Sequence, residues 1–226
     1  LTPEVRAGIL GRVVDISPDS GWPEHLLQSV TERIFLGLAD ARQRVDDPAQ
    51  LAVPLLNVRD LRDGHAPPLE ALDKRAVGAG ADVERYTVRA DDVVVTCRGT
   101  QLKVAGITPS TAGALISANL IAIRAGTEVL PAVLLAFLQS ELGRSALLQR
   151  GRSSTSSLSL TPKSVGQLSI PVPPLTVQRQ ITGLVSAAEQ NHIAAIRAAE
   201  QRRAVALAVA LELLRGESRQ RPGERS

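Results

Sequence analysis

Arg98, Gly99 and Thr100, followed by Lys103, place a forked cation, an unhindered backbone, a hydroxyl and an ammonium within six positions. A second group follows later: Arg150, Arg152, Ser153, Ser154, Thr155 and Lys163. Guanidinium and ammonium groups hold phosphate, while forked or adaptable donors discriminate base edges. Asn119 and Gln101 add amides of the second kind. Gly99 and Gly151 would let the main chain come close to a phosphate. Between residues 93 and 127 there are three basic residues and no acid; between 139 and 167 there are four against Glu141 alone. Formal net charge is +3, and the terminal stretch 215–226 supplies four arginines and two glutamates, so the body is close to neutral. Charge alone fits a local face for an anionic partner and a scatter of solvated arginines equally well. Residues 152–159 read as a flexible surface loop or as a contact loop. Asn119 reads as a contact or as a strand amide satisfying the backbone, and Arg124 and Arg144 read as solvated or structural.

Catalytic chemistry finds little support. Cys97 ends an apolar run with no histidine near it in sequence, the setting of a small buried hydrophobe. One cysteine excludes an internal disulfide and a multi-cysteine zinc site. His25, His65 and His192 are far apart, without metal-ligand spacing. There is no GxxxxGK phosphate loop and no GxGxxG fingerprint. Pro173-Pro174 lacks the preceding Asp or Asn and the following aromatic by which adenine methyltransferases hold a flipped base. No paired carboxylates stand with a lysine in nuclease spacing. No catalytic residue, metal or cofactor is therefore expected in this chain.

The elements that must position these residues follow from periodicity. Hydrophobic residues make up 44% of 226, but aromatics only 2%, so aliphatic side chains and alanine must fill the core. No run nears the roughly 20 apolar residues of a membrane span, and nothing resembles a secretory signal. A short helix is expected over 24–35, after Pro23. Strands are expected over 51–58, 86–88, 93–96, 104–107, 115–123 and 168–172, with a turn at Asp63-Gly64. Pro131 opens a helix whose Leu134, Leu138 and Leu142 share a face, with Gly143 ending or kinking it and a further turn stopping at Gly151. The longest helical pattern runs over 177–214, roughly 57 Å at 1.5 Å per residue. Its apolar stripe comprises Ile181, Leu184, Ala188, Ile193, Ile196, Leu207, Leu211 and Leu214. Packing on the chain's own domain and pairing with a partner helix are both readings of that stripe.

In this order the pieces resemble the target-recognition domain and spacer helix of type I restriction–modification specificity subunits. Residues 55–61 (LLNVRDL) with Gly64 resemble the opening strand and turn. Tyr86-Thr87-Val88, then Asp92 to Thr96, resemble the segment before an Arg-Gly pair, here Arg98-Gly99 with Thr100, Lys103, Gly106 and Ile107. Residues 117–120 (SANL) with Ile123-Arg124 resemble the next strand. Phe137 to Ser140 with Gly143 resemble the helix after it, and Gly151, the Ser/Thr-rich residues and Leu158-Ser159 the loop that follows. Residues 170–175 (IPVPPL), with Gln178 and Ile181, carry the most specific likeness: a proline-marked strand end leading into a long helix. The likeness covers about residues 36 to 214. It departs from the family in lacking a glycine near Val45 and in having one domain and one helix where full-length members have two of each.

The resemblance implies an α+β protein: a mostly antiparallel mixed-sheet recognition domain over 24–175, after a loose lead-in over 1–23. A coiled-coil-type helix over 176–215 and a disordered basic tail over 216–226 would follow. It implies a non-catalytic cytoplasmic reader of double-stranded DNA that directs partner adenine methyltransferase subunits, with S-adenosylmethionine bound by those partners. Assemblies of this kind can add a restriction or translocase subunit. Two copies would pair through the helix. DNA contacts are assigned to Arg98, Gly99, Thr100, Lys103, Asn119, Arg150, Arg152, Ser153, Ser154, Thr155 and Lys163. The competing readings are a helical adaptor without base readout and, third, a small hydrolase using Ser or Cys97. The chain opens at Leu1 and has no methionine, so a natural half-subunit and a piece of a longer chain both stay open.

Overall fold

In the computed structural model, residues 21–39, 50–78, 82–151 and 157–215 are described. The lead-in up to residue 20 and the tail from residue 216 lie outside them. The chain divides into two compact units, Leu1–Ile181 and Thr182–Ser226.

The centre of the first unit is a four-stranded antiparallel sheet in the order β2 (Thr31–Leu36), β9 (Leu120–Ala125), β5 (Val93–Thr96), β7 (Val104–Gly106). Side chains alternate between faces along a strand. One face accordingly holds Val93, Val95, Cys97, Val104, Ile121 and Ile123, and the other Val94, Ala105, Leu120 and Ala122. Both faces are buried, which is why 93–96 reads as an unbroken apolar run rather than as an alternation. The first face is covered by α2 (Pro131–Gln139) and α3 (Glu141–Gly151), through Val133, Leu134, Leu138 and Leu147. The second is lined with alanines, so Leu56 and Ile116 from strands of another sheet, with Leu61 and Val88 from connecting segments, pack closely on it.

A second sheet, β4 (Lys74–Gly78), β3 (Gln50–Leu56), β8 (Leu115–Ile116), is mixed: β3 pairs antiparallel with β4 and parallel with β8. Two short antiparallel ladders complete the unit. β1 (Glu24–Leu26) pairs with β11 (Ser169–Pro171), and β6 (Arg98–Gly99) pairs with β10 (Leu158–Ser159). The architecture is the expected α+β fold, mixed and mostly antiparallel, with a long helix after it, α5 (Leu175–Leu214).

Several local expectations are corrected. Residues 24–35 are not a helix; they form β1, the single turn α1 (Leu27–Val30) and β2. Ile34 and Phe35 pair opposite Ile123 and Ala122, and ladder formation at the sheet edge overrides the helical reading. Residues 84–86 form a 3-10 turn in place of a strand, and Thr87 only bridges Leu115. Residues 115–123 form two strands in different sheets. The helix beginning at Pro131 breaks at Ser140, whose Oγ accepts the Gly143 N–H at 3.2 Å. Leu142 therefore leaves the face of Leu134 and Leu138 and stands 67% exposed. Gly143 serves the expected kink: a Cβ there would lie 2.1 Å from the Phe137 carbonyl oxygen, so only glycine permits the tight α2–α3 corner.

One buried ion pair organises the entry to the sheet. Arg124 Nε donates to Asp92 Oδ1 at 2.8 Å and its Nη2 to Oδ2 at 2.7 Å, a bidentate fork. Asp92 is 1% exposed and also accepts the Arg89 N–H at 2.8 Å. The fork raises the pKa of Arg124 against the opposing effect of burial. Asp91, at φ 70°, takes the left-handed conformation that turns the chain into β5. Arg124 is thus structural, as one of its two readings held. Because removing one partner strands a buried charge, Asp92→Ala should cost about 3–5 kcal/mol in denaturant unfolding. Replacing both partners with apolar residues (Asp92→Leu with Arg124→Met) should recover a large part of that loss.

Candidate nucleic-acid interface

At the exit of β5 the chain leaves the sheet as a hairpin. Thr96 N–H donates to the Lys103 carbonyl at 2.9 Å, and Lys103 N–H donates back to Thr96 Oγ1 at 3.2 Å, closing the loop from 97 to 102. Arg98, Gly99, Thr100 and Gln101 are exposed on it. Gly99 has φ +126° and open space where a Cβ would stand, so glycine is required by the backbone conformation and not by packing.

The hairpin is held by Cys97, which is fully buried. Its N–H donates to the Asn119 carbonyl at 2.9 Å, its carbonyl accepts the Leu160 N–H at 2.8 Å, and its thiol donates to the Ala118 carbonyl at 3.4 Å. One residue further, Arg98 pairs with Ser159 and Gly99 with Leu158. Three segments far apart in sequence, 98–101, 117–119 and 157–160, are therefore joined at one edge. The exposed side chains of Arg98, Thr100 and Asn119 belong to it. Asn119 contributes its backbone to the core and leaves its amide outside, which decides against a buried strand amide.

The chain leaves this edge towards Lys163, the last cation of the second basic stretch. From Ser159 the chain enters α4 (Pro162–Gly166), whose first turn is closed by a reciprocal Thr161–Ser164 capping box, and Lys163 stands exposed there. Arg150 is exposed but engaged: its guanidinium donates to Gln167 Oε1 at 3.1 Å and to the Gln167 carbonyl at 3.0 Å. Gly151 is a packing glycine and not a phosphate approach, because a Cβ would meet Leu158 Cδ1 at 2.6 Å and Leu160 Cγ at 2.9 Å. Arg152, Ser153, Ser154 and Thr155 lie outside the described residues.

Lys103 is separated from the edge by its own bonds. Its Nζ donates to the carbonyls of Val58 and Leu61 at 3.0 and 2.8 Å, so the ammonium sits at the base of the hairpin. Arg62 and Arg144 line the same cleft. Sequence reading did not single out Arg62 and left Arg144 as solvated or structural. No sequence signal connects positions 62, 103 and 144; the tertiary fold does.

Among the described residues no cluster of three His, Cys, Asp or Glu side chains could hold a metal ion, and no helix is long and apolar enough to cross a membrane. Burial pushes the Cys97 thiol up to about 11, against the opposing influence of Arg98.

No known sequence family matches the chain, and no curated protein matches it. Solved structures do. A chain from a structure describing complex assembly and conformational transition of the type I R-M system superposes with a TM-score of 0.53 at 21% identity, covering 91% of this chain and 47% of its own. The HsdS subunit from Thermoanaerobacter tengcongensis gives 0.50 at 22% identity, covering 92% and 48%. The S subunit of the type I restriction–modification system of M. genitalium gives 0.57 at 11% identity, covering 91% and 49%. The fold, an α+β unit followed by a long helix, is shared with these type I S-subunit structures. More particularly, the chain spans about half the length of the solved chains it matches.

The Cys97 environment yields a direct check. In the native protein at neutral pH the thiol should resist a chromogenic disulfide reagent and should react promptly once denaturant opens the fold. Since folding raises this pKa from 9.0 to about 11, the folded form holds its proton longer than the unfolded chain. Stability should be intact below pH 9 and fall as pH climbs towards 11. Fast native labelling at pH 7 would contradict the buried placement.

Proposed function

We propose that the chain is a DNA target-recognition module of a type I restriction–modification system, without catalytic activity of its own. The observation that carries this is the antiparallel ladder between Arg98–Gly99 and Leu158–Ser159, which joins the first basic stretch to residues that lie between the cations of the second. Arg98, Thr100 and Asn119 serve as donors towards base edges or phosphates. Lys163 is a further exposed cation, on α4, Arg150 is held by Gln167, and Arg152, Ser153, Ser154 and Thr155 are proposed as contacts from their chemistry in the sequence alone. The matched architecture, and the complex assembly named for one matched structure, support a place beside methyltransferase subunits. Those subunits bind S-adenosylmethionine and methylate adenine in the cytoplasm, and a restriction or translocase subunit can join them.

DNA binding is tested by fluorescence anisotropy on duplexes, alone and with co-expressed methyltransferase subunits. Affinity should fall steeply as salt rises, since phosphate contacts release counterions. Arg98→Ala should cost on the order of 1–3 kcal/mol on the target and blur discrimination at one position if the guanidinium forks onto a base. Salt-independent binding, or an Arg98→Ala variant indistinguishable from wild type in binding and methylation, would overturn the assignment.

The helix carries the second half of the proposal. Leu184, Ile193, Ile196, Leu207, Leu211 and Leu214 are exposed on α5, Leu207 at 61% and Leu211 at 49%, and Ala188 is exposed with them. Ile181, grouped with them by periodicity, is instead half-buried against the core of its own unit. Apolar residues at this spacing favour a second helix. A two-fold pair of chains would present two identical recognition units, so its target would be an interrupted palindrome. In sedimentation, the wild type should be dimeric and Leu207→Asp with Leu211→Asp monomeric. A wild-type monomer at high concentration, or a modified site with unrelated halves, would exclude the symmetric pair.

A further inference from the structure

Beyond the edge assigned to sequence reading lies a cleft of about 490 Å³ at the base of the same hairpin, lined by the cations Arg62, Lys103 and Arg144, the apolar Leu61, Leu102 and Val104, and the Asp63-Gly64 turn. One wall is a tight turn in which Arg62 and His65 exchange backbone hydrogen bonds at 3.0 and 2.8 Å. Asp63 (φ 49°) and Gly64 (φ 84°) are both left-handed, the type I′ geometry that Asp-Gly favours. The opposite wall is α3, from which Arg144 Nη2 donates to the Leu102 carbonyl at 3.1 Å. Lys103, half-buried between them, donates to the Val58 and Leu61 carbonyls.

Among the described residues, none of these three cations has a carboxylate partner. Carbonyl dipoles orient Lys103 and Arg144 without cancelling their charge, and Asp63 is the single carboxylate on the lining. A half-buried cation without a counter-ion is costly unless an anion completes it. The cleft is too large for a bare inorganic anion and has apolar Leu61, Leu102 and Val104 between its charges, which suits a sugar–phosphate segment. Lys103 and Arg144 are tied to main-chain carbonyls and so act as fixed charges that hold register.

Resting on the DNA-reading function above, we infer that this cleft seats the phosphodiester backbone of the bound duplex, with Arg62, Lys103 and Arg144 as sequence-independent contacts. The hairpin then divides the labour, with readout at its tip and phosphate at its base.

The test uses the full chain and several duplexes of unrelated sequence, titrated across salt. Arg62→Ala and Arg144→Ala should each weaken binding by the same factor on every duplex. Each should also make the slope of log affinity against log salt shallower by about one. Arg62→Lys, which keeps the charge, should restore the slope. The Arg62 side chain has no hydrogen-bond or ion-pair partner among the described residues, so its replacement leaves the fold intact even if Arg144→Ala does not. If wild type binds duplexes and neither alanine variant alters affinity or slope, the cleft assignment fails while the DNA-reading function stands. If wild type binds no duplex at low salt, both fail. Inorganic pyrophosphate that binds tightly and is not displaced by duplex would make this a free-phosphate site and overturn the inference.

Discussion

Everything in the first unit depends on a strand buried on both faces. Val93, Val94, Val95 and Thr96 have no exposed surface to speak of, and the cores on either side of them do not mix. A strand in that position satisfies its backbone polar groups through its neighbours, since water cannot reach them. β7 and β9 do so on the two sides. The Asp92–Arg124 fork solves the same problem at the strand's entrance, where the chain brings a carboxylate inside. A buried pair of this kind adds little net stability against an apolar alternative, but it tolerates one arrangement only. It therefore fixes the register of β5 against β9.

That register reaches the surface through Cys97. The residue faces the same core as Val93 and Val95, yet its backbone joins the 117–119 turn and the 158–160 segment. Arg98 follows immediately, so the backbone that carries its exposed guanidinium is held next to a fully buried residue and paired with Ser159. Backbone order established in the core lowers the entropy that must be lost when the exposed donors engage a ligand. The buried thiol, with its raised pKa, belongs to this mechanical role; a nucleophile needs the opposite environment.

The long helix combines two surfaces of different purpose. Near its start, Gln178 is buried: its Oε1 accepts the Leu130 N–H at 2.8 Å, and its Nε2 donates to the carbonyls of Glu128 and Pro173, each at 2.9 Å. These bonds, with Val177 and Ile181 against the core, tie the first two turns to the first unit. Further along, leucines and isoleucines of similar spacing are exposed. Identical periodicity thus serves an internal packing face at one end and an unsatisfied apolar face at the other.

From the sequence alone the elements with strong local signals were readable: the apolar run of β5, the Asp-Gly turn, proline at the first position of α2, the proline-marked strand end and the helix of about forty residues. These are set by short-range sterics and by hydrophobic period, which neighbouring residues decide. The two basic stretches were also visible, as was Cys97 as a buried group. Tertiary structure alone decided the rest. Residues 31–36 became a strand because Ile121–Ala125 offered them a ladder, and 24–26 because Ser169–Pro171 did. Gly151 was required by Leu158 and Leu160, which pack back against it. Leu142 and Ile181, each in phase with its helical pattern, fell on opposite sides of burial from their neighbours. The gathering of Arg62, Lys103 and Arg144 has no trace in spacing. A periodic pattern states which side chains share a face, but what that face meets depends on long-range pairing, and so does every convergence of charge.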